Sequence, residues 1–235
     1  GSMRALDFIE DEKRITRLAV VQGVVSKFID HRPNDRIGMV VFGEQAYTQC
    51  PLTLDQDILQ SFLSKLEIGM AGDSTAIGSA IGIAVKRLKD LESKSKVIIL
   101  LTDGRNNAGS LPPLQAAQTA KTFGIKIYTI GVGTKGKAPF LVNSIFGQRY
   151  VYQEVDIDEI TLKKIAQVTG GEYFRATDLE SLKNIYNQID EMEKSEVKVI
   201  DHAEYKELFY YFLVPGLMFI LLEIGLSNSL LRRIP

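Results

Sequence analysis

The sequence predicts an α/β fold, a doubly wound and mostly parallel sheet with helices on both faces. Three observations predict it. Segments of helical and strand periodicity alternate along the chain, which implies a parallel sheet joined by crossover helices. Continuous apolar runs (Ile37-Gly38-Met39-Val40-Val41-Phe42, Val97-Ile98-Ile99-Leu100-Leu101, and 125–132) have the composition of strands covered on both faces. Helix and strand ends carry the expected punctuation, such as Arg32-Pro33-Asn34-Asp35, Phe123-Gly124 and Gly170-Gly171.

In order, 12–31 reads as an amphipathic helix because Ile15, Leu18, Val21, Val25 and Phe28 recur at helical spacing. The strand 37–42 turns at Gly43-Glu44 into a hairpin partner over 46–52. Thr53 or Asp55 caps a helix over 56–66. A Gly-rich loop, 69–74, precedes a helix over 76–88 whose small residues Gly78, Ala80, Gly82 and Ala84 suit close packing on a sheet. The strand 96–101 ends in Thr102-Asp103-Gly104. Pro112 starts a helix that Gly124 stops. After the strand 125–132, residues 135–152 read as an irregular insert. A helix over 158–168, a short edge strand at Tyr173-Phe174 and a helix from Asp178 to about Lys194 follow.

With 235 residues the chain accommodates one domain and an appendage. A net charge of -1 without a basic run argues against a nucleic-acid partner. Cys50 is the single cysteine, which excludes an internal disulfide and a Cys-based zinc site and reads as an inert structural thiol. Residues 209–226 are almost wholly apolar, and at 1.5 Å per residue span roughly 27 Å, close to a bilayer's hydrocarbon thickness. The expected organisation is an α/β domain over 1–198, a juxtamembrane linker over 199–207, a transmembrane helix over 208–227 in contact with lipid, and a tail over 228–235. Lys194, Lys198 and Lys206 before the helix nearly balance Arg232 and Arg233 after it, so the charge rule leaves orientation open.

Ligands of such sheets bind outside the carboxyl ends of the strands. Asp103 follows the most apolar strand, Thr75 lies in the loop opening a helix, and Ser2 stands at the start. All three offer hard oxygens, which suit Mg²⁺ or Mn²⁺. Taken alone, loop Thr and Asp side chains cap helices as readily as they bind ions.

Together these residues resemble the von Willebrand factor A (VWA) family. Gly1-Ser2-Met3 is similar to the end of its Asp-x-Ser-Gly-Ser-Met metal motif, Gly72-Asp73-Ser74-Thr75-Ala76-Ile77-Gly78 to its threonine loop and Leu100-Leu101-Thr102-Asp103-Gly104 to its aspartate loop. Arg4-Ala5-Leu6-Asp7-Phe8, Asp35-Arg36-Ile37-Gly38, Val41-Phe42-Gly43, Pro51-Leu52-Thr53, Gly131-Val132-Gly133, Tyr150-Val151-Tyr152 and Phe174-Arg175-Ala176 resemble the bacterial aerotolerance (Bat) branch. The resemblance implies a metal-ion-dependent adhesion site in which Ser2 and Thr75 ligate Mg²⁺, Asp103 acts directly or through water, and Asp73 orders the loop. The partner is then a protein supplying an Asp or Glu carboxylate. Sister VWA proteins and a MoxR-type AAA+ ATPase are implied associates. The implied location is a bacterial inner membrane, with the domain on the periplasmic side. The first Asp and first Ser of the motif, with the central strand that carries them, would precede Gly1, so the sheet is expected to lack that strand and the site to bind metal weakly or not at all. Gly1-Ser2 is equally a remnant of tag removal, in which case Ser2 only imitates the motif.

Two other readings stand beside a non-enzymatic binding module: an α/β enzyme using the strand-edge residues, and a scaffold with a vestigial metal site. Gly131-x-Gly133-x-x-Gly136 formally fits a dinucleotide fingerprint but is followed by Lys137-Ala138-Pro139 rather than a helix. His31 and His202 are far apart, which argues against histidine-based hydrolysis.

Overall fold

The computed structural model describes residues 2–10, 12–134, 136–144, 147–201 and 209–229. A short 3-10 turn at Ser2–Arg4 leads to an antiparallel ribbon of β1 (Phe8–Glu10) and β2 (Lys13–Ile15), and then to α1 (Arg17–Asp30). The first helix therefore starts five residues later than its periodicity suggests. Thr16 is its N-cap, accepting from the Ala19 amide, and the residues before it pair with β1, Phe8 opposite Ile15. A capping hydroxyl sets the boundary more sharply than apolar spacing can.

Next come β3 (Ile37–Phe42) and β4 (Ala46–Thr53), paired antiparallel, and α2 (Gln56–Ser64), capped by Asp55 through the Ile58 amide. They are followed by α3 (Ile77–Leu88), β5 (Val97–Thr102), α4 (Pro113–Thr122) and β6 (Lys126–Val132). The segment expected to be irregular is a regular antiparallel hairpin, β7 (Gly136–Ser144) and β8 (Gly147–Val155). Period-2 alternation is weak there because both faces carry mixed residues, so its strands give no clear sequence signal. The chain continues through α5 (Glu159–Thr169), β9 (Tyr173–Ala176), α6 (Leu179–Asp201) and α7 (Phe209–Ser229). No helix breaker follows Lys194 before Asp201 in the sequence, and α6 accordingly runs past its expected end.

β5, β6 and β9 form a parallel sheet, with Val97 beside Lys126 through Thr102 beside Gly131, and Thr129 beside Tyr173. Alternate side chains of this sheet feed two cores. Tyr128, Ile130 and Val132 pack with Val20, Val21 and Val24 of α1 and Leu182, Ile185 and Ile189 of α6. Leu100 and Ile127 pack with Ile77, Ile81 and Val85 of α3, Ala116, Ala117 and Ala120 of α4, and Leu162 and Ile165 of α5. A third cluster joins Ile29, Leu59 and Leu63 to Cys50, whose thiol is buried and pushed upward in pKa by that burial, as an inert thiol should be. The small residues of α3 meet a loop as well as the sheet. A Cβ on Gly78 would lie 1.9 Å from the Leu111 carbonyl oxygen, so the 111–112 segment crosses directly over the helix there.

Compactness divides the chain into two units, Gly1–Ser195 and Glu196–Pro235. Within the second, α7 is 21 residues long, and Leu217, Met218, Phe219, Ile220, Leu221 and Leu222 are all exposed. The side chains at 210, 212 and 225–229 lie outside the described set. Among the described residues no helix is long and apolar enough to cross a membrane, where a span over 208–227 was expected.

Candidate metal centre at the carboxyl edge of the sheet

Three segments distant in sequence converge where β5 ends. Asp103 directly follows the last residue of β5 and is 6% exposed. The Ser2 hydroxyl donates to Asp103 Oδ1 at 2.6 Å. Thr75 comes in from the loop before α3: from the position a Cβ would take on Gly104, Thr75 Oγ1 is 3.5 Å and Ser2 Oγ is 3.9 Å away. Ser2, Thr75 and Asp103 are thus brought to one place.

The threonine loop is held there by two residues that the sequence reading did not single out. Asn106 Oδ1 accepts from the amides of Ile77 (2.8 Å) and Gly78 (3.5 Å), capping α3 from another loop because Ala76 at its N-cap position has no side chain to do so. Asn107 Oδ1 accepts from the Thr75 amide at 2.7 Å, and the amides of Asn107 and Ala108 return bonds to the Thr75 carbonyl. Paired asparagines two and three residues beyond Asp-Gly were the available signal, since Asn side chains bind free backbone groups at turns and caps.

Arg17 is the other residue that went unrecognised. It is fully buried at the first position of α1. Its Nε donates to Asp7 Oδ1 at 2.9 Å, its Nη2 to Asp7 Oδ2 at 2.6 Å, and its Nη1 to Asp103 Oδ2 at 3.3 Å. Asp7 is tied further by the amide and hydroxyl of Thr134, at 3.0 and 3.1 Å. Burial disfavours the charged Asp7, but the Arg17 and Thr134 hydrogen bonds and the guanidinium charge outweigh it and hold the carboxyl below its ordinary range. Burial likewise opposes the Arg17 charge, and the two carboxylates reverse the effect. Gly133 makes room for this group. Its φ is +113°, and a Cβ there would fall 2.3 Å from the guanidinium carbon. Helical periodicity hid Arg17 because it falls on the buried face of α1, where a lone cation reads as an exception.

The donor set fits a hard divalent ion in kind, with two hydroxyls and one carboxylate gathered around Gly104 at one rim. It is short of charge. One Asp103 oxygen faces a guanidinium, and Asp7, Asp103 and Arg17 together leave a formal charge of one negative unit. Among the described residues no group of three or more His, Cys, Asp or Glu side chains gathers as a metal site. An ion held by these residues alone would bind weakly and keep open positions for an outside anion. The hairpin β7–β8 follows Gly133 beside this rim, attached through the Leu6 amide to the Pro139 carbonyl at 2.8 Å. No helix opens after Gly133, so the dinucleotide fingerprint lacks its required element.

Comparison with known proteins identifies the family. Residues 7–188 match the von Willebrand factor type A domain. A crystal structure of a conserved hypothetical protein BatB from Bacteroides thetaiotaomicron is 30% identical, covers 82% of this chain and 94% of its own, and superposes with a TM-score of 0.68. An aerotolerance-related membrane protein from Bacteroides fragilis is 29% identical over 80% of this chain and 92% of its own, with a TM-score of 0.65. Among curated relatives, an uncharacterised protein of Borreliella burgdorferi is 28% identical over 99% of this chain and 67% of its own length. A UPF0353 protein of Mycolicibacterium gilvum is 29% identical over 81% of this chain and 56% of its own length. The chain therefore spans between about half and two-thirds of the curated relatives it matches.

Proposed function

The chain belongs to the von Willebrand factor type A domain family, and on that footing we propose that it is a non-enzymatic, membrane-anchored binding module whose adhesive element is a Mg²⁺ ion at the Ser2–Thr75–Asp103 rim. The observation that carries this reading is the convergence of three hard-oxygen side chains from three separate segments at the carboxyl edge of β5. Ser2, Thr75 and Asp103 would hold the ion, directly or through water, and Mn²⁺ would fit the same donors. Bound there, the ion supplies an electrophilic point for a carboxylate of a partner protein. The rest is done by the chain itself. Asn106 and Asn107 fix the threonine loop, and Arg17 holds Asp103 from behind so that Oδ1 faces Ser2. Because Arg17 offsets much of the Asp103 charge, the ion stays short of negative charge, which favours an incoming Asp or Glu.

Membrane anchoring is proposed for α7. The reading rests on the almost wholly apolar sequence over 209–226. Likeness to an aerotolerance-related membrane protein supports a membrane setting, and we place it at a bacterial inner membrane with the domain on the periplasmic side. Sister VWA proteins and a MoxR-type ATPase are the associates that the sequence resemblance implies, and they belong to this proposal.

Titration calorimetry with Mg²⁺ on the full chain in detergent tests the site. Weak binding is expected for the wild type and none for Asp103→Ala. Equal affinities in the two would overturn the assignment. Removal of all residues after Lys206 should release the protein from sedimented vesicles, and retention on lipid would refute the anchor.

A further inference from the structure

The β7–β8 hairpin is fastened to the candidate rim at both of its ends. Ahead of β7, the amide and hydroxyl of Thr134 donate to Asp7, which shares the Arg17 guanidinium with Asp103. After β8, Asp156 pairs with Arg105, two residues beyond Asp103. Ala138 and Pro139 are buried at this root. Leu141, Tyr150 and Tyr152 are exposed, the tyrosines by 53% and 60%. Leu141 stands opposite Tyr150 and Pro139 opposite Tyr152, so both tyrosines and Leu141 share one face of the ribbon.

The two edges of this ribbon differ. The Pro139 carbonyl accepts from the Leu6 amide at 2.8 Å, so it points away from β8. Residues that bond across an antiparallel pair alternate with residues that face outward. Ala138, Phe140 and Val142 therefore bond to Gln153, Val151 and Arg149, and the amides and carbonyls of Gln148, Tyr150, Tyr152 and Glu154 point out from the far edge. Leu6 closes the β7 edge, together with Pro139, which has no amide hydrogen to offer. The β8 edge carries no proline, and among the described residues no strand but β7 pairs with β8. An open row of outward donors and acceptors is a template for another strand.

We propose that the β8 edge receives an extended segment of a partner protein as a third strand, and that this segment presents an Asp or Glu at its end beside Asp156. Four outward-facing residues supply the ladder. Apolar side chains at alternate positions of the segment would lie on the face that carries Leu141, Tyr150 and Tyr152. The end beside Asp156 lies nearest the rim, where Asp103 is offset by Arg17 and an outside acid is favoured. A second copy of β8 does not meet that need: antiparallel self-pairing would bring Gln148 and Arg149 to this end, and no acid. The acidic end rests on the metal reading above, and the strand pairing stands without it.

The probe is a capped seven-residue peptide of alternating Val and Thr with Asp at its first position, added at millimolar concentration to the full chain in detergent. A companion with Asp at its last position serves the parallel direction. Amide exchange is read residue by residue by NMR with EDTA present. The outward amides of Tyr150 and Tyr152 should slow by about tenfold, while the inward amides of Arg149, Val151 and Gln153 should not change. Tyr152→Pro removes an outward donor but no bond to β7, and should weaken peptide binding about tenfold. Tyr152→Thr keeps the donor and should retain most of the binding. Replacing EDTA by Mg²⁺ should tighten binding of the Asp peptide and not of its Asn counterpart. Pairing in EDTA without that gain would support the strand site and overturn the acidic end together with the rim reading. Unchanged exchange on adding peptide, or equal affinity in Tyr152→Pro and the parent, would overturn the proposal. So would outward amides already protected in the parent alongside a dimer in sedimentation equilibrium, since a second copy would then hold the edge.

Discussion

Replacing Arg17 by Met tests the electrostatic framework of the candidate site most directly. The side chain is fully buried, and its three donor nitrogens reach Asp7 and Asp103. Methionine keeps most of the packing volume but leaves two largely buried carboxylates without their shared cation. Breaking a buried ion pair by removing one partner costs about 3–5 kcal/mol. For a domain of this size each kcal/mol lowers Tm by about 2–4 °C, so a fall of roughly 6–20 °C is expected. The pH dependence gives a second handle. In the wild type the Asp7 carboxyl is held below its usual range, so its contribution is present at neutral pH and is lost as pH falls through the folded value. Without Arg17, only the Thr134 hydrogen bonds still oppose burial at Asp7, so the balance moves toward the protonated form. The deficit of the variant should therefore shrink between pH 7.5 and pH 4.5. Thermal and urea unfolding followed by circular dichroism would measure both. Asp7→Asn in the Arg17→Met background should restore part of the loss, because it removes one stranded charge. A deficit below about 1 kcal/mol at pH 7.5, or one that grows on acidification, would refute the account of Arg17 as the cation that both carboxylates require.

Gly133→Ala should destabilise by about 2–4 kcal/mol, since the new methyl group meets the Arg17 guanidinium in a left-handed backbone; an unchanged urea midpoint would show that the guanidinium can move aside. Glu193 is 5% exposed and accepts from Tyr128 (2.7 Å), Ser95 (2.7 Å) and Lys126 (3.1 Å), which together overcome its burial and lower its pKa. Its contribution is thus present above the ordinary Glu value and lost below the folded one, so Glu193→Gln should cost about 1–3 kcal/mol at pH 7 and progressively less below pH 4. Unfolding curves across that range check it, and a pH-independent difference would contradict it. Asn106→Ala should fray the start of α3 and cost about 1 kcal/mol, read as faster amide exchange at Ile77 and Gly78.

The parts of this fold legible in the sequence are those fixed by local chemistry or by full burial. The apolar runs of β3, β5 and β6 could be read because both faces of each strand meet helices. Asp55 could be read as a cap, and it accepts from the amide three residues on. Gly170 takes the left-handed cap conformation that its place after a helix implies. What stayed hidden depends on partners far away in sequence. The β7–β8 hairpin lacks a buried face of its own, so no alternation marks it. The helix boundary at Thr16 is set by a pairing between Phe8 and Ile15 that periodicity cannot register.

The candidate site divides along the same line. Ser2, Thr75 and Asp103 were visible because oxygen side chains at strand and helix ends are conspicuous once the sheet is placed. Their electrostatic balance was not, because it is set by Arg17, 86 positions from Asp103 in sequence and in contact with it. A buried guanidinium between two carboxylates alters what the aspartate can do. Asp103 cannot act as a full negative charge toward an ion while Arg17 faces its second oxygen, so the affinity of the rim for a cation depends on the strength of that contact. A partner anion brought next to Ser2 would act on a centre short of charge rather than on one already satisfied. Counting hard oxygens describes which ion could bind; the position of Arg17 would decide how much a second anion adds to holding it.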